Sequence, residues 1–172
     1  MSDLLADVTH EFRLYKSQAE RAMASLADAA FFQRPGEAVN PIALVVKHVA
    51  GNLTSRWSDF LTSDGDKPAR DRDSEFVLGE QDTRASLMER WEAGWQTLLD
   101  TLASLGEGDL AKTITIRGEP HTVQQAIVRS LGHTAYHVGQ ILYIARLLNP
   151  TATWLTIAPG ASRSFRPAYR SS

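Results

Sequence analysis

The strongest constraint on the fold is a spacing of three and four residues between apolar side chains, which recurs in four long segments. In the first segment this spacing runs from Leu5 to Leu26, and in the last it runs from Ile127 to Leu148. Such spacing places the apolar side chains on one face of an α-helix, which must then pack against other helices. The four predicted helices cover approximately residues 2–26, 41–60, 82–105 and 122–149.

One short stretch has the alternating, β-branched pattern of a strand instead. It covers residues 113–116 and is followed by a turn at residues 117–120, so we expect a short β-hairpin just before the last helix. Ser2 or Asp3 can cap the first helix, and Pro41 suits the first helical position of the second. Four amphipathic helices with one small hairpin predict an all-α fold, a four-helix bundle.

Length and composition set further limits. The 172 residues are expected to form a single domain, residues 1–172, with a partly irregular tail over residues 151–172. The absence of cysteine excludes a disulfide scaffold, a thiolate zinc finger, an iron–sulfur cluster and a cysteine nucleophile. No apolar run approaches the roughly 20 residues that cross a bilayer, and no signal-peptide pattern occurs. We therefore expect a cytoplasmic protein that does not interact with membranes.

Charge is distributed unevenly along the chain. Residues 1–119 carry a net charge of −7, whereas residues 120–172 contain five arginines and no acidic residue. A pI near 6.2 without a cluster of lysine and arginine argues against nucleic acid as a partner. Two interpretations remain open: the acidic and basic parts face each other in the fold, or the last part lines a site for an anionic molecule.

The histidines have the spacing most typical of a chemical site. His133 and His137 are four residues apart, so they lie about 40° apart around a helix axis and can bind one metal ion. His48 lies in an otherwise apolar helix and can supply a third ligand, because a buried imidazole needs a partner. His10 and His121 are expected at the surface. The alternative is that none of these histidines binds a metal.

A site of three neutral imidazoles leaves a divalent ion its full charge. Such an ion accepts a thiolate, a carboxylate or hydroxide at its open position, and it lowers the pKa of bound water toward roughly 7. The chain contains neither the Glu-x-x-His motif of di-iron carboxylate bundles nor the His-Glu-x-x-His motif of zincin proteases, and both classes are therefore disfavoured.

Three further residues are candidates for contact with a substrate or for orienting a ligand. Asn52 lies one helical turn after the histidine of the second helix, and its alternative role is a hydrogen bond to a neighbouring helix. Arg70 and Arg72 can clamp a carboxylate or a phosphate. Their alternative is a solvated loop in which Glu75 and neighbouring aspartates neutralise them.

The order of the histidines resembles the DinB/YfiT-like superfamily of bundle metalloproteins. One histidine occurs in the second helix, and an H-x-x-x-H pair in the last helix is followed directly by Val138-Gly139-Gln140-Ile141. Further segments resemble one uncharacterised branch of that superfamily, a domain of unknown function. These segments are Asn40-Pro41-Ile42, Lys47-His48, Arg56-Trp57, residues 64–67, residues 70–73 and Trp154.

The resemblance implies a four-helix bundle with up-down-down-up connectivity and, frequently, a homodimer. It also implies a divalent metal, often zinc or nickel, held by His48, His133 and His137; iron and manganese are further candidates. Some relatives are S-transferases or isomerases that use low-molecular-weight thiols. We therefore expect a metal-dependent enzyme that activates a thiol or water, S-transferase-like or hydrolase-like, on an unidentified small molecule. The alternative is a non-catalytic, metal-containing binding or stress-related protein.

Overall fold

The computed structural model describes residues 4–153 and 155–165, and within them the chain forms five α-helices and one two-stranded antiparallel sheet. The helices are α1 (Leu4–Ala24), α2 (Asp28–Phe32), α3 (Ile42–Trp57), α4 (Arg84–Ser104) and α5 (Val123–Leu148). The strands are β1 (Thr113–Ile116) and β2 (Glu119–Thr122), and Asp73–Phe76 forms a 3₁₀ turn. Ser2, Asp3 and Trp154, which the sequence analysis singled out, lie outside the described residues.

The predicted mostly helical fold with a small hairpin is confirmed, and the differences lie at the helix ends. The short helix α2 was not predicted. Pro41 is not the first helical residue of α3; its extended backbone, with ψ at 162°, makes it the N-cap. The same helix ends at Trp57, short of Phe60, because Ser58 is extended and Asp59 has a left-handed φ of 48°.

The four long helices contact one another in a closed order. Helix α3 packs against α4 and α5, and α1 packs against the same two helices from the other side. The largest side chains between them, Trp57, Trp91, Trp95 and Phe12, are fully buried. Within the described residues, none of the helices combines the length and the apolar content that spanning a bilayer requires.

The hairpin and the loop after α3 are joined by one carboxylate. Arg117 and Gly118 form the two-residue turn of the hairpin, both with positive φ (57° and 75°), as the favoured hairpin turns require. Asp64 accepts hydrogen bonds from both backbone N–H groups, at 2.9 and 2.8 Å, and hydrogen bonds from the backbone hold the pKa of this carboxyl well below its usual range. The hairpin and the loop thus form one wall beside α3 and α5.

Candidate metal centre

The structure brings together the three histidines that the sequence singled out. His48 lies on α3, and His133 and His137 lie one turn apart on α5. Each offers one ring nitrogen, and these three atoms lie within 4.8 Å of one another. The Nε2 atoms of His48 and His133 are only 3.3 Å apart. His10, by contrast, is exposed on α1, and His121 is half-buried on β2.

Glu75 fixes the orientation of the His48 ring. Its Oε2 lies 2.7 Å from His48 Nδ1, and both side chains are buried. A carboxylate accepts, so Nδ1 carries the donated proton and the lone pair on Nε2 is directed at the other two histidines. Burial opposes ionisation of Glu75, but hydrogen bonds from His48 and Arg70 outweigh it, and the pKa of the carboxyl stays below its usual value.

Arg70 supports this carboxylate from the other side. Its Nε and Nη2 donate to the two oxygens of Glu75 at 2.8 and 2.9 Å, and its side chain is only 6% exposed. From the sequence, Arg70 is expected either to clamp a substrate or to form a solvated ion pair. The observed partner is Glu75, but the pair is buried, and the guanidinium fork is already occupied.

Gly51 leaves the space that Glu75 occupies. A Cβ atom built at this position on α3 would overlap Glu75 Oε1 and would lie 2.9 Å from its Cδ. The carboxylate therefore reaches His48 across a helix surface that has no side chain at this point. The sequence analysis considered Glu75 only as a counter-ion in a loop and missed its contact with the histidine.

Gln140 orients the ring of His137, as Glu75 orients the ring of His48. Its Oε1 accepts from His137 Nδ1 at 2.8 Å, which leaves the Nε2 of that ring without a proton. In the part of the chain that the structure describes, His137 Nε2 and His133 Nδ1 are buried and have no hydrogen-bond partner. A buried polar atom without a partner is costly, so the Nε2 of His137 marks a site that is completed by something other than protein. The Nδ1 of His133 is the ring nitrogen that does not face His48, so it is not part of that site.

Burial keeps the two histidines of α5 neutral. Desolvation, together with repulsion from the neighbouring imidazoles, lowers the pKa of His133 to about 3. Desolvation also lowers the pKa of His137 to about 4, against the hydrogen bond that its Nδ1 donates to Gln140. Neutral imidazole is the form that binds metal.

The donor set fits a divalent metal ion. Two imidazole nitrogens bound tetrahedrally at about 2.0–2.1 Å from zinc are about 3.3–3.4 Å apart, and the nitrogens of His48 and His133 are 3.3 Å apart. Imidazole suits zinc, nickel and iron among the common divalent ions. The alternative for His48 and His133 is a direct hydrogen bond between their rings.

A cavity of about 250 Å³ opens beside the cluster. Asn52 lines it, is buried, and lies one turn along α3 from His48. Arg72 also lines it and places its guanidinium 5.0 Å from the ring centre of Phe76. Tyr136 is 54% exposed at the cavity and contacts the rings of both histidines of α5.

Three arginines of this cavity were not predicted as site residues: Arg117 in the hairpin turn, and one on each of two helices. Arg56 lies eight residues after His48 on α3, and Arg129 lies four residues before His133 on α5. Both spacings are close to whole helical turns, so each arginine lies on roughly the same helix face as its histidine. That spacing was the available signal.

We expect the metal-free protein to lose stability as the pH falls below about 6.5, the ordinary pKa of histidine. Below that pH, the histidines of the unfolded chain become protonated. In the folded chain, His137 and His133 stay neutral until the pH approaches their pKa values of about 4 and about 3. Stability is therefore full above pH 6.5 and declines toward pH 4. Urea unfolding of chelator-treated protein at pH 7, 6 and 5, followed by tryptophan fluorescence, measures this slope. His133→Leu should flatten it and His10→Ala should not; a flat wild-type profile contradicts the prediction.

The fold and the cluster define a mostly helical protein with three convergent imidazoles at an arginine-lined cavity. The chain belongs to the DUF1572 family of proteins of unknown function, whose family profile matches residues 1–161. A crystal structure of a conserved protein from Enterococcus faecalis is similar in fold, with a TM-score of 0.66 at 16% identity. The similarity covers 88% of this chain and 100% of the other. No curated protein matches the sequence.

Proposed function

We propose that this chain is a metal-dependent enzyme whose divalent ion, zinc or nickel before iron or manganese, is bound by His48, His133 and His137. The observation that carries the proposal is the convergence of three ring nitrogens within 4.8 Å beside a cavity. The buried, unpartnered Nε2 of His137 supports it. When bound, the ion would act as a Lewis acid that activates a thiol or water.

Side chains next to the histidines orient two of the three rings. Glu75 and Gln140 each accept a hydrogen bond from the Nδ1–H of a histidine and so turn the other nitrogen of each ring toward the centre. Arg70 holds Glu75 in place through two hydrogen bonds. Tyr136 adds a phenol at the cavity, which is a hydrogen-bond donor at neutral pH, and desolvation raises the pKa of that phenol further.

The reaction we propose is S-transfer or hydrolysis on a small molecule, with a low-molecular-weight thiol as one candidate reactant. A cavity of about 250 Å³ is suited to a ligand smaller than a typical drug molecule. Asn52 and Arg72 line it and are proposed to contact the substrate, whereas Arg70 acts through Glu75.

We further propose that residues 1–172 form one domain, a four-helix bundle of the DinB/YfiT-like type with up-down-down-up connectivity, and that it works as a homodimer. The closed order of contacts among the four long helices supports the bundle. The dimer is supported by one exposed face of α5 that carries large apolar side chains. These are Val128, Tyr136, Tyr143 and Leu147.

The decisive experiment is the metal content of the full chain purified without an affinity tag. We expect about one equivalent of a divalent metal per chain by mass spectrometry, either as purified or after reconstitution with zinc, nickel, iron or manganese. No bound metal under any of these conditions would overturn the proposal. The histidines would then be core residues that bond to one another.

The second candidate is a metal-containing binding protein without turnover. It is favoured by one observation: no carboxylate lines the cavity among the described residues, so no acidic general base faces a substrate there. The carboxylate of Glu75 is already hydrogen-bonded to His48 and Arg70. The metal-loaded protein can be assayed with a low-molecular-weight thiol and a chromogenic electrophile, and separately with a chromogenic ester. Turnover that depends on the metal supports the enzyme. Ligand binding without turnover supports the second candidate.

A further inference from the structure

The cavity beside the histidines is strongly basic. Five arginines line it, and no carboxylate does so among the described residues. The five come from α3, the loop after it, the hairpin and α5: Arg56, Arg70, Arg72, Arg117 and Arg129.

The protein neutralises only part of this charge. Arg70 is paired with Glu75, and Arg117 Nε donates to Asp66 at 2.8 Å. Arg129 is exposed, and no carboxylate of the described residues pairs with it or with Arg56. The charges of these two arginines therefore remain available at the cavity.

Arg56 is the cavity arginine that has a buried nitrogen without a hydrogen-bond partner among the described residues. Its Nη1 atom is buried and makes no hydrogen bond to any described residue. Gly65 leaves room for the guanidinium, because a Cβ atom there would lie 3.1 Å from Nη1. Burial lowers the pKa of Arg56, Asp66 opposes this, and the charges of other cavity arginines, Arg129 among them, lower it further. Arg56 is half-buried, and a partly desolvated cation beside other cations is stabilised when an anion joins them.

Arg56 and Arg129 lie at the same end of the site. Arg56 follows His48 by about 12 Å along α3, and Arg129 precedes His133 by about 6 Å along α5. The residues next to them, Trp57 and Ser130, are joined by a hydrogen bond of 3.2 Å, so both arginines lie to the same side of the histidines. A molecule could therefore place one group at the arginines and another at the imidazoles.

We propose that Arg56 and Arg129 bind an anionic group, a carboxylate or a phosphate, of the molecule that reaches the three histidines. A guanidinium donates two parallel hydrogen bonds to either group, and the partial burial of Arg56 strengthens them. The identification of this molecule as the substrate rests on the proposed function. The anion site itself rests on the arginines alone.

The test uses the full chain, first freed of metal and then loaded with zinc, each dialysed into a buffer without chelator. Isothermal titration with inorganic phosphate and, separately, with malonate distinguishes the two anions. We expect at least one of them to bind the metal-free protein. Arg56→Gln and Arg129→Gln should each weaken that binding about 10- to 100-fold. Arg13→Gln, at an exposed position of α1 that does not line the cavity, should leave it unchanged.

The outcomes separate this inference from the metal proposal. Binding of an anion that depends on Arg56, in a protein that never takes up metal, supports the anion site and overturns the metal site. Metal binding with anion affinity that neither arginine variant changes, or with no anion bound below about 10 mM, overturns the anion site alone. If Arg56→Gln does not fold, the exposed Arg129→Gln decides the question.

Discussion

Alanine at position 137 is expected to release the metal almost completely, from about one ion per chain to a small fraction of one. His137 is the ring whose Nε2 atom is buried with no hydrogen-bond partner, so it is the nitrogen that most needs the ion. Two remaining imidazoles cannot hold a divalent ion as tightly, and we expect affinity to fall by more than about 100-fold, the upper end of what loss of a supporting group costs. Metal analysis after dialysis, with chelator competition for the affinity, measures both effects.

The matched control is His10→Ala, which removes an exposed histidine of α1 and should leave the metal content unchanged. Circular dichroism shows whether the His137→Ala protein is folded. His48→Ala and His133→Ala should behave in the same way as His137→Ala. A folded His137→Ala protein that retains a full equivalent of metal would locate the ion elsewhere.

Removal of the Glu75 carboxylate is the second large effect we expect. Glu75→Ala leaves the buried guanidinium of Arg70 with only the more distant Asp66, at 3.5 Å, and leaves His48 Nδ1 without an acceptor. Removing one partner of a buried ion pair lowers the free energy of unfolding by about 3–5 kcal/mol. Metal affinity should also fall, by about 10- to 100-fold, because the His48 ring loses the group that orients it.

Urea unfolding measures the stability effect, with Glu89→Ala as the control. Glu89 is an exposed acid of α4, and its replacement should change the free energy of unfolding by no more than about 0.5 kcal/mol. The double variant Arg70→Ala with Glu75→Ala should be less destabilised than the sum of the two single variants, because no buried charge is left alone. Strict additivity would show that the pair does not interact as the contacts indicate.

The parts of this site that sequence could predict are those carried by helices. The four-residue spacing of His133 and His137 places both on one face wherever that helix packs. His48 was identifiable because an imidazole among valines on a helix is out of place unless it meets a polar partner. The long helices and the hairpin followed from the same kind of regular spacing.

The groups that support the histidines were harder to predict because they come from irregular chain. Glu75 lies on a 3₁₀ turn, and nothing in the spacing of a loop indicates which of its acids will turn inward. Arg70 and Arg72 were candidates for substrate contact because they lie in a charged loop. In the structure, Arg70 pairs with Glu75 instead. Arg56 and Arg129 had a helical spacing from the histidines, which can be recognised only when the two helices are read together.

The glycine at position 51 has a consequence for how sequences of this family can vary. Alanine there would favour the helix by about 1 kcal/mol, but its methyl group would displace the acid that holds His48. Helix formation and the orientation of the imidazole therefore compete at one Cα atom. In related chains we expect paired exchanges: glycine at this position accompanies an acid at position 75, and a larger residue accompanies a short side chain there.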